Sequence, residues 1–280
     1  MFVEDGELIS TETWPGEQFV MRIRAPKCAA AARPGTFVHI TCDKSLPMRR
    51  PLSIMRKGPD WIEVLYKIVG DGLRLLSERQ PGDTMSVLGP IGQPFRPDPN
   101  RPRALLIGGG VGIPPMVFLA EALREGDWQP LAILGSEIPF PFELARSSMP
   151  TPWVDGTIVS TMPLLEQWGV TARLTSLAGF DGCFRGYVTD LARLWLQDLG
   201  AEERNKVEVF ACGPTPMLKA VAAMADEFNI PCQVSLEEFM ACAVGGCAGC
   251  TVEVETDEGP AMKRVCVDGP VFDARSVVWG

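Results

Sequence analysis

Cys242, Cys247 and Cys250 follow the spacing C-x4-C-x2-C, and Cys266 stands fifteen intervening residues further on. Four thiolates at this spacing suit a plant-type 2Fe–2S cluster, which takes three ligands from one short run and a fourth from elsewhere. The segment CAVGGCAGC would supply the three, with Gly245, Gly246 and Gly249 expected to take backbone conformations closed to other residues. A structural zinc is the competing use of four cysteines, but zinc sites favour paired C-x2-C knuckles and here the fourth cysteine is alone. A Rieske centre needs two histidines. The chain has one, His39, in the strand-like run Thr36–Thr41, where it reads as structural. A cluster of this kind moves electrons singly, which places the chain in redox chemistry.

Two further motifs are suited to a flavin. Met48-Arg-Arg-Pro-Leu-Ser-Ile54 offers Arg50 as a phosphate partner, Pro51 as a backbone constraint and Ser53 as a donor to a ring nitrogen. Leu65-Tyr-Lys-Ile-Val-Gly-Asp-Gly72 ends a strand at a glycine turn that opens a helix, a suitable place for a pyrophosphate. A plain strand–turn–helix, with Tyr66 packing and Lys67 solvated, is the alternative.

A nicotinamide nucleotide fits two more segments. Gly108, Gly109, Gly110 and Gly112 form a glycine turn between a strand and a helix, the context in which such a turn binds a dinucleotide. Cys212-Gly213-Pro214 ends a later strand, the end at which parallel sheets bind ligands. Glu137, after the strand Leu131–Leu134, suits a free ribose hydroxyl and so NAD over NADP, while Arg146 keeps NADP open. Glu237 and Glu238, just ahead of the cysteine loop, read as a solvated helix cap.

The elements that must position these groups are legible in outline. Runs at 18–24, 36–42, 61–69 and 83–88, punctuated by Pro-Gly and Gly-Pro turns and one helix near 71–78, predict a small antiparallel barrel. A proline-rich stretch, 93–102, separates it from an alternating pattern: strand 104–107, helix 115–124, strand 131–134, strand 207–212 and helix 214–228. That alternation predicts a doubly wound parallel sheet. Residues 145–200 are assigned to it by elimination.

Composition agrees with a globular protein: 46% hydrophobic and 22% charged residues in 280. The net charge of −9 argues against nucleic acid and anionic membrane as partners. No apolar run reaches spanning length, and MFVEDGELIS lacks a signal core. Nine cysteines suit a reducing, cytoplasmic setting, with Cys28, Cys42, Cys183 and Cys232 as core or surface thiols.

Taken in order, the barrel, RRPLSI, YKIVGDG, GGGVGIPPM, ACGPTPMLKAV and MACAVGGCAGC resemble the ferredoxin–NADP reductase superfamily over nearly the whole chain. Within it they most resemble the electron-transfer subunits of type B dihydroorotate dehydrogenases. The resemblance implies a multidomain β plus α/β fold. Its parts would be an FAD-binding antiparallel β-barrel (1–100), an NAD-binding α/β domain (101–231) and a 2Fe–2S domain (232–280). It implies FAD contacts from Arg50, Pro51, Leu52 and Ser53, from Leu65, Tyr66 and Lys67, and from Gly70, Gly72 and Leu73. Leu73 departs from the family's threonine, which removes a hydroxyl contact. It also implies that Cys212 lies by the nicotinamide ring of NAD(H). The family's partner is a separate FMN-containing catalytic subunit in a heterotetramer, with electrons running from FMN through the cluster and FAD to NAD. The apolar segment Cys266–Phe272 is the expected partner face. Rival readings are a reductase subunit for a hydrogenase, oxygenase or ferredoxin-linked enzyme, a zinc-stabilised binding module, and a thiol redox sensor. The last lacks a close resolving pair.

Serine substitution tests the ligand set. Cys242→Ser, Cys247→Ser, Cys250→Ser and Cys266→Ser should each abolish or strongly distort the visible cluster absorption of the anaerobically purified protein. Cys28→Ser and Cys183→Ser should leave it intact.

Overall fold

The computed structural model describes residues 1–280. Its N-terminal part contains β1 (Phe2–Trp14), β2 (Gln18–Arg24), α1 (Pro26–Ala31), β3 (Phe37–Ile40), β4 (Arg50–Lys57), β5 (Trp61–Lys67), α2 (Asp71–Ser77) and β6 (Thr84–Ile91). The strands close into an antiparallel barrel in the order β1-β2-β5-β4-β3-β6. Closure depends on β1, whose first half pairs with β6 and second half with β2, with an irregularity between Leu8 and Ser10. A bulge at such a point bends a strand and lets it serve two neighbours. Alternation then sends Met21, Ile23, Val38, Ile40, Ile62, Val64 and Tyr66 into the barrel core. Strands β1 and β4 were not expected from the sequence. RRPLSI follows β3 and lies largely on β4 itself.

The second part contains β7 (Arg103–Gly109), α3 (Ile113–Leu123), β8 (Leu131–Gly135), a short pair β9 (Ala145–Arg146) and β10 (Ser160–Thr161), α4 (Pro163–Gln167), β11 (Thr171–Thr175), α5 (Val188–Asp198), α6 (Ala201–Arg204), β12 (Val207–Cys212) and α7 (Thr215–Glu227). The cysteine region adds β13 (Cys232–Ser235), the hairpin β14 (Thr251–Thr256) and β15 (Gly259–Arg264), and β16 (Val271–Asp273). The main sheet has the order β11-β8-β7-β12-β13-β16, parallel except for β16. Cys232–Ser235 therefore belongs to the nucleotide sheet by its hydrogen bonds, and the cysteine region leaves that sheet after β13 and rejoins it at β16.

Helix α3 explains how barrel and sheet meet. Its sequence IPPMVFLAEAL is apolar on nearly every side, and nine of its eleven residues are buried. A helix apolar all round must be covered on all sides. Phe118 packs into the barrel core, while Met116, Val117 and Leu119 pack with Leu106, Leu134 and Phe210 of the sheet. The proline-rich stretch is not a free linker. Phe95 is buried and meets Phe210 edge-on at 5.7 Å. The backbone N–H groups of Arg96 and Asp98 donate to Gln233 Oε1 (3.0 Å) and Glu208 Oε2 (2.9 Å). Those two bonds tie the stretch to the sheet at β12 and β13.

Phe210→Ala removes a fully buried ring from this junction and should cost about 3–5 kcal/mol. The loss is read as a lower urea midpoint with the same slope.

Candidate functional site

The flavin motif assembles from β4, the end of β5 and the start of α2. Arg50 donates from Nη1 to the carbonyls of Met48 (2.9 Å) and Arg49 (3.1 Å), which fixes its guanidinium beside the turn. It lies over Gly72: a Cβ there would stand 2.8 Å from Nε and Nη2, too close to be accommodated in place. Gly70 takes φ 155° and caps α2, a conformation that other residues rarely adopt. Arg50, Gly70 and Gly72 thus come together as the sequence suggested, around a cradle suited to a phosphate anion. Ser53 is half-buried on β4, and Leu65 packs toward the sheet with Met55 and Met116. Tyr66 turns the other way. It is buried in the barrel, stacked on Phe19 at 5.4 Å, so its side chain faces away from any ligand on the outer surface. Only its backbone is available there. Leu73 is buried against the barrel core and fills with packing the place where the family carries a hydroxyl.

The glycine turn and the Cys212 turn form one unit. Gly108 is the direct cross-strand partner of Cys212 at the ends of β7 and β12. A Cβ on Gly112 would collide with the Cys212 carbonyl, so that position requires glycine, while one on Gly213 would meet only the movable end of Met217. Gly109 also meets Met217 and Pro214, and Gly110 takes φ 55° facing open space. The turn is tighter than expected, since β7 runs through Gly109 and Gly110–Gly112 is a single 3-10 turn. Cys212 is wholly buried, and burial, then the charge of Glu237, pushes its thiol well above the usual range, with a bond from Ser235 opposing the shift. It is a neutral thiol that shapes the site and cannot act as a thiolate nucleophile.

Glu237 is a residue whose surroundings the sequence reading missed. No helix follows it, so it is not a helix cap. It lies within reach of Cys212, and desolvation by the surrounding protein raises its carboxyl above the ordinary value. Its side chain is exposed to solvent. Only the chain's path after β13 brings it there. Glu137 is exposed just beyond β8, and Arg146 is exposed on β9.

The cysteine loop runs between β13 and β14. Its left-handed residues are Ala243 (φ 55°), Gly245 (φ 81°) and Ala248 (φ 53°); Gly246 and Gly249 do not take that conformation. The winding expected of three glycines is thus carried by one glycine and two alanines. These reversals point amides at sulfur: Cys247 N–H donates to Cys242 Sγ and Gly249 N–H to Cys247 Sγ, each at 3.4 Å. The amides of Val244 and Cys247 hold the Cys242 thiol down at about 6. Burial, then Cys250, pushes Cys266 up to about 11. Cys242 thus interacts with Cys247 and Cys250 with Cys266, and the charge of Cys242 also reaches Cys266. No three of the chain's His, Cys, Asp or Glu side chains converge tightly enough for a single metal ion. Two cysteine pairs fit a two-iron core, in which each iron takes two protein ligands. The pairs differ in exposure, Cys250 and Cys266 being buried and Cys247 exposed. Cys28, Cys42, Cys183 and Cys232 are buried and free, remote from this loop in role.

The expected partner face is built into the fold. Val271 and Phe272 pair with β13, and Gln93 N–H donates to the Gly269 carbonyl at 2.6 Å. The exposed apolar residues beside the cysteines are instead Phe239, 94% exposed, Val244 and, on β15, Met262.

Comparison with known proteins places this geometry. The chain superimposes on an NADH-dependent reduced ferredoxin–NADP oxidoreductase, solved for insight into flavin-based electron bifurcation. The TM-score is 0.80 at 27% identity, over 98% of this chain and 90% of that one. A ferredoxin reductase of carbazole 1,9a-dioxygenase gives 0.61 at 22% identity, over 82% and 67%, a likeness of fold. The fold is that of the ferredoxin reductases. Residues 237–278 match the iron–sulfur cluster binding domain of dihydroorotate dehydrogenase B, a span that contains all four clustered cysteines. The electron-transfer subunit of dihydroorotate dehydrogenase B (NAD(+)) from Desulforamulus reducens is 30% identical over 281 residues, 99% of this chain and 98% of that one. Its counterpart from Geobacillus kaustophilus is 35% identical over 257 residues, 88% and 87%. The chain belongs to the family of dihydroorotate dehydrogenase B electron-transfer subunits.

Thiol chemistry checks the loop electrostatics. In cluster-free protein near about pH 7, Cys242 is largely thiolate and Cys266 neutral, so iodoacetamide should modify Cys242 well before Cys266. Lowering the pH through the Cys242 value protonates it and should erase the difference, as read by peptide mass spectrometry.

Proposed function

We propose that the chain relays electrons between NAD(H) and a separate FMN-containing dihydroorotate dehydrogenase subunit, using bound FAD and a 2Fe–2S cluster, and that the two subunits form a heterotetramer. One observation carries this reading. Ser53 and Pro51 of β4 stand directly opposite Phe37 and His39 of β3, and Phe37 packs into the same core as Cys250 and Cys266. The flavin strand and the buried cysteine pair therefore border one hydrophobic core.

The residues present fit the groups the family uses. Arg50 would hold the pyrophosphate of FAD over Gly72, and Ser53 would offer its hydroxyl to the ring. Gly108 to Gly112, with Gly213 and Pro214, would receive NAD(H). Cys242, Cys247, Cys250 and Cys266 would hold the cluster. When bound, a flavin links two-electron hydride chemistry to the single-electron chemistry of an iron–sulfur cluster. The chain's own work is alignment and exclusion of water. Cys212, buried and neutral, closes the nicotinamide end of the sheet without adding charge. Glu237 adds an exposed carboxyl within reach of Cys212. Glu137 in the open position after β8 favours NAD over NADP. No helix is long and apolar enough to cross a membrane, and all nine thiols are free, which supports a reducing, cytoplasmic location.

A second reading is favoured by the likeness to the reduced ferredoxin–NADP oxidoreductase: the same relay serving a ferredoxin-linked partner. The two separate on the electron donor. Reconstituted with the FMN-containing subunit, the chain should reduce NAD in the presence of dihydroorotate, and neither subunit alone should do so. Reduction by reduced ferredoxin, with none by dihydroorotate in the assembled complex, would favour the second reading.

A further inference from the structure

We infer that Arg264, held in place by Asp268, is a positioning residue that reaches from the Cys266 turn to the three-cysteine loop, and that the positive charge it fixes there raises the reduction potential of the bound cluster. The inference rests on the ligand set of the relay reading above.

The turn around Cys266 is wound about one carbonyl. The N–H groups of Val267, Asp268 and Gly269 all donate to the Arg264 carbonyl, at 3.0, 2.8 and 3.3 Å. The Asp268 carboxylate closes the turn, accepting from the Arg264 backbone N–H at 2.8 Å and from its Nε at 3.4 Å. Both bonds end on Oδ2, so one carboxylate oxygen orients the backbone and the guanidinium together. Held this way, Arg264 Nη1 donates to the Gly245 carbonyl at 3.2 Å. Gly245 lies between Cys242 and Cys247, and Arg264 lies two residues ahead of Cys266. No other side chain from outside the loop donates to its backbone. Gly245 is also where the loop sits on the turn. A Cβ there would stand 2.6 Å from Val267 Cγ2 and 3.3 Å from Arg264 Nη1.

A surface ion pair kept for stability does not account for this arrangement. The Arg264 and Asp268 side chains are 40% and 30% exposed, and pairs so exposed contribute little to stability. The turn also has a separate anchor on the barrel side, where Gln93 Nε2 donates to the Val267 carbonyl at 3.2 Å. What the pair supplies is a cation fixed between the two segments that carry the ligands. Net charge and hydrogen bonding around an iron–sulfur cluster set its potential, and groups one contact removed from the ligands carry part of that effect. Reduction adds one negative charge to the cluster. A cation held beside it favours the reduced form, and an anion opposes it. Arg264 and Asp268 therefore act together on the geometry and with opposite sign on the potential.

The test is an anaerobic, mediator-coupled redox titration of the full chain loaded with flavin and cluster, read by the EPR signal of the reduced cluster. It compares the parent with Arg264→Leu, Arg264→Lys and Asp268→Asn. At one fixed potential the ratio of reduced to oxidised cluster should fall about threefold in Arg264→Leu, about 30 mV for a one-electron couple, and rise by a similar factor in Asp268→Asn. Arg264→Lys keeps the charge and should stay close to the parent. Equal midpoints in all four proteins would overturn the inference, as would Arg264→Lys shifting as far as Arg264→Leu. Arg264→Leu and Asp268→Asn shifting in the same direction would also overturn it, because a pair that only keeps the turn folded gives that result. Should Arg264→Leu fail to retain its cluster, Asp268→Asn decides by itself: a raised ratio supports the inference, and an unchanged or lowered one contradicts it. A parent protein with no two-iron signal would instead sink the ligand assignment itself.

Discussion

Helix α3 has almost no surface left for water, and the placement of both nucleotide-binding parts follows from that constraint. Its burial requires the barrel on one side and the parallel sheet on the other. Fully burying one large aliphatic side chain contributes about 1.5–3 kcal/mol, so separating the two parts would expose several such increments at once. The rigidity matters for chemistry. The Arg50–Gly72 cradle is carried by the barrel, and the Gly112–Cys212 contact by the sheet. Neither part could orient a nicotinamide against a flavin if the interface between them were soft.

The cysteine loop is held differently. It buries few large apolar side chains of its own, and its order comes from its two ends. Strand β13 delivers it from the parallel sheet, and β16 returns the chain to that sheet's edge. Between them, backbone amides rather than packing orient the sulfurs. The result is graded exposure, with one cysteine pair sunk in the core that also holds Phe37 and the other near the surface, where Phe239 and Val244 are exposed. A buried side toward the core that borders the flavin strand and an open side toward solvent is the arrangement expected of a group that passes electrons outward to another subunit.

Much of this was legible in the sequence because the signals were local. Cysteine spacing, glycine turns and β12 with its following helix were read nearly to the residue. The misses are long-range. Strand β4 was hidden because RRPLSI carries Arg and Pro, poor strand formers, and becomes a strand only through its pairing with β3 and β5. Gly246 and Gly249 looked conformationally special, yet Ala243 and Ala248 take the left-handed positions because the sulfur-directed amides demand it there. Tyr66 looked like a flavin contact and is a barrel core residue, since strand parity rather than motif membership decides which way it faces. Glu237 was read as a helix cap because its surroundings come from β13 and β16 meeting across some 35 residues of chain.

The central claim is a continuous path from NADH through flavin to cluster within this one chain. An anaerobic visible and EPR titration of the purified protein with NADH tests it directly. The account predicts that the flavin bands bleach, that the broad cluster absorption then falls, and that the EPR signal of a reduced two-iron cluster grows in, with about two irons per chain. A colourless protein carrying zinc, or a flavin that bleaches while the cluster stays oxidised, would contradict it.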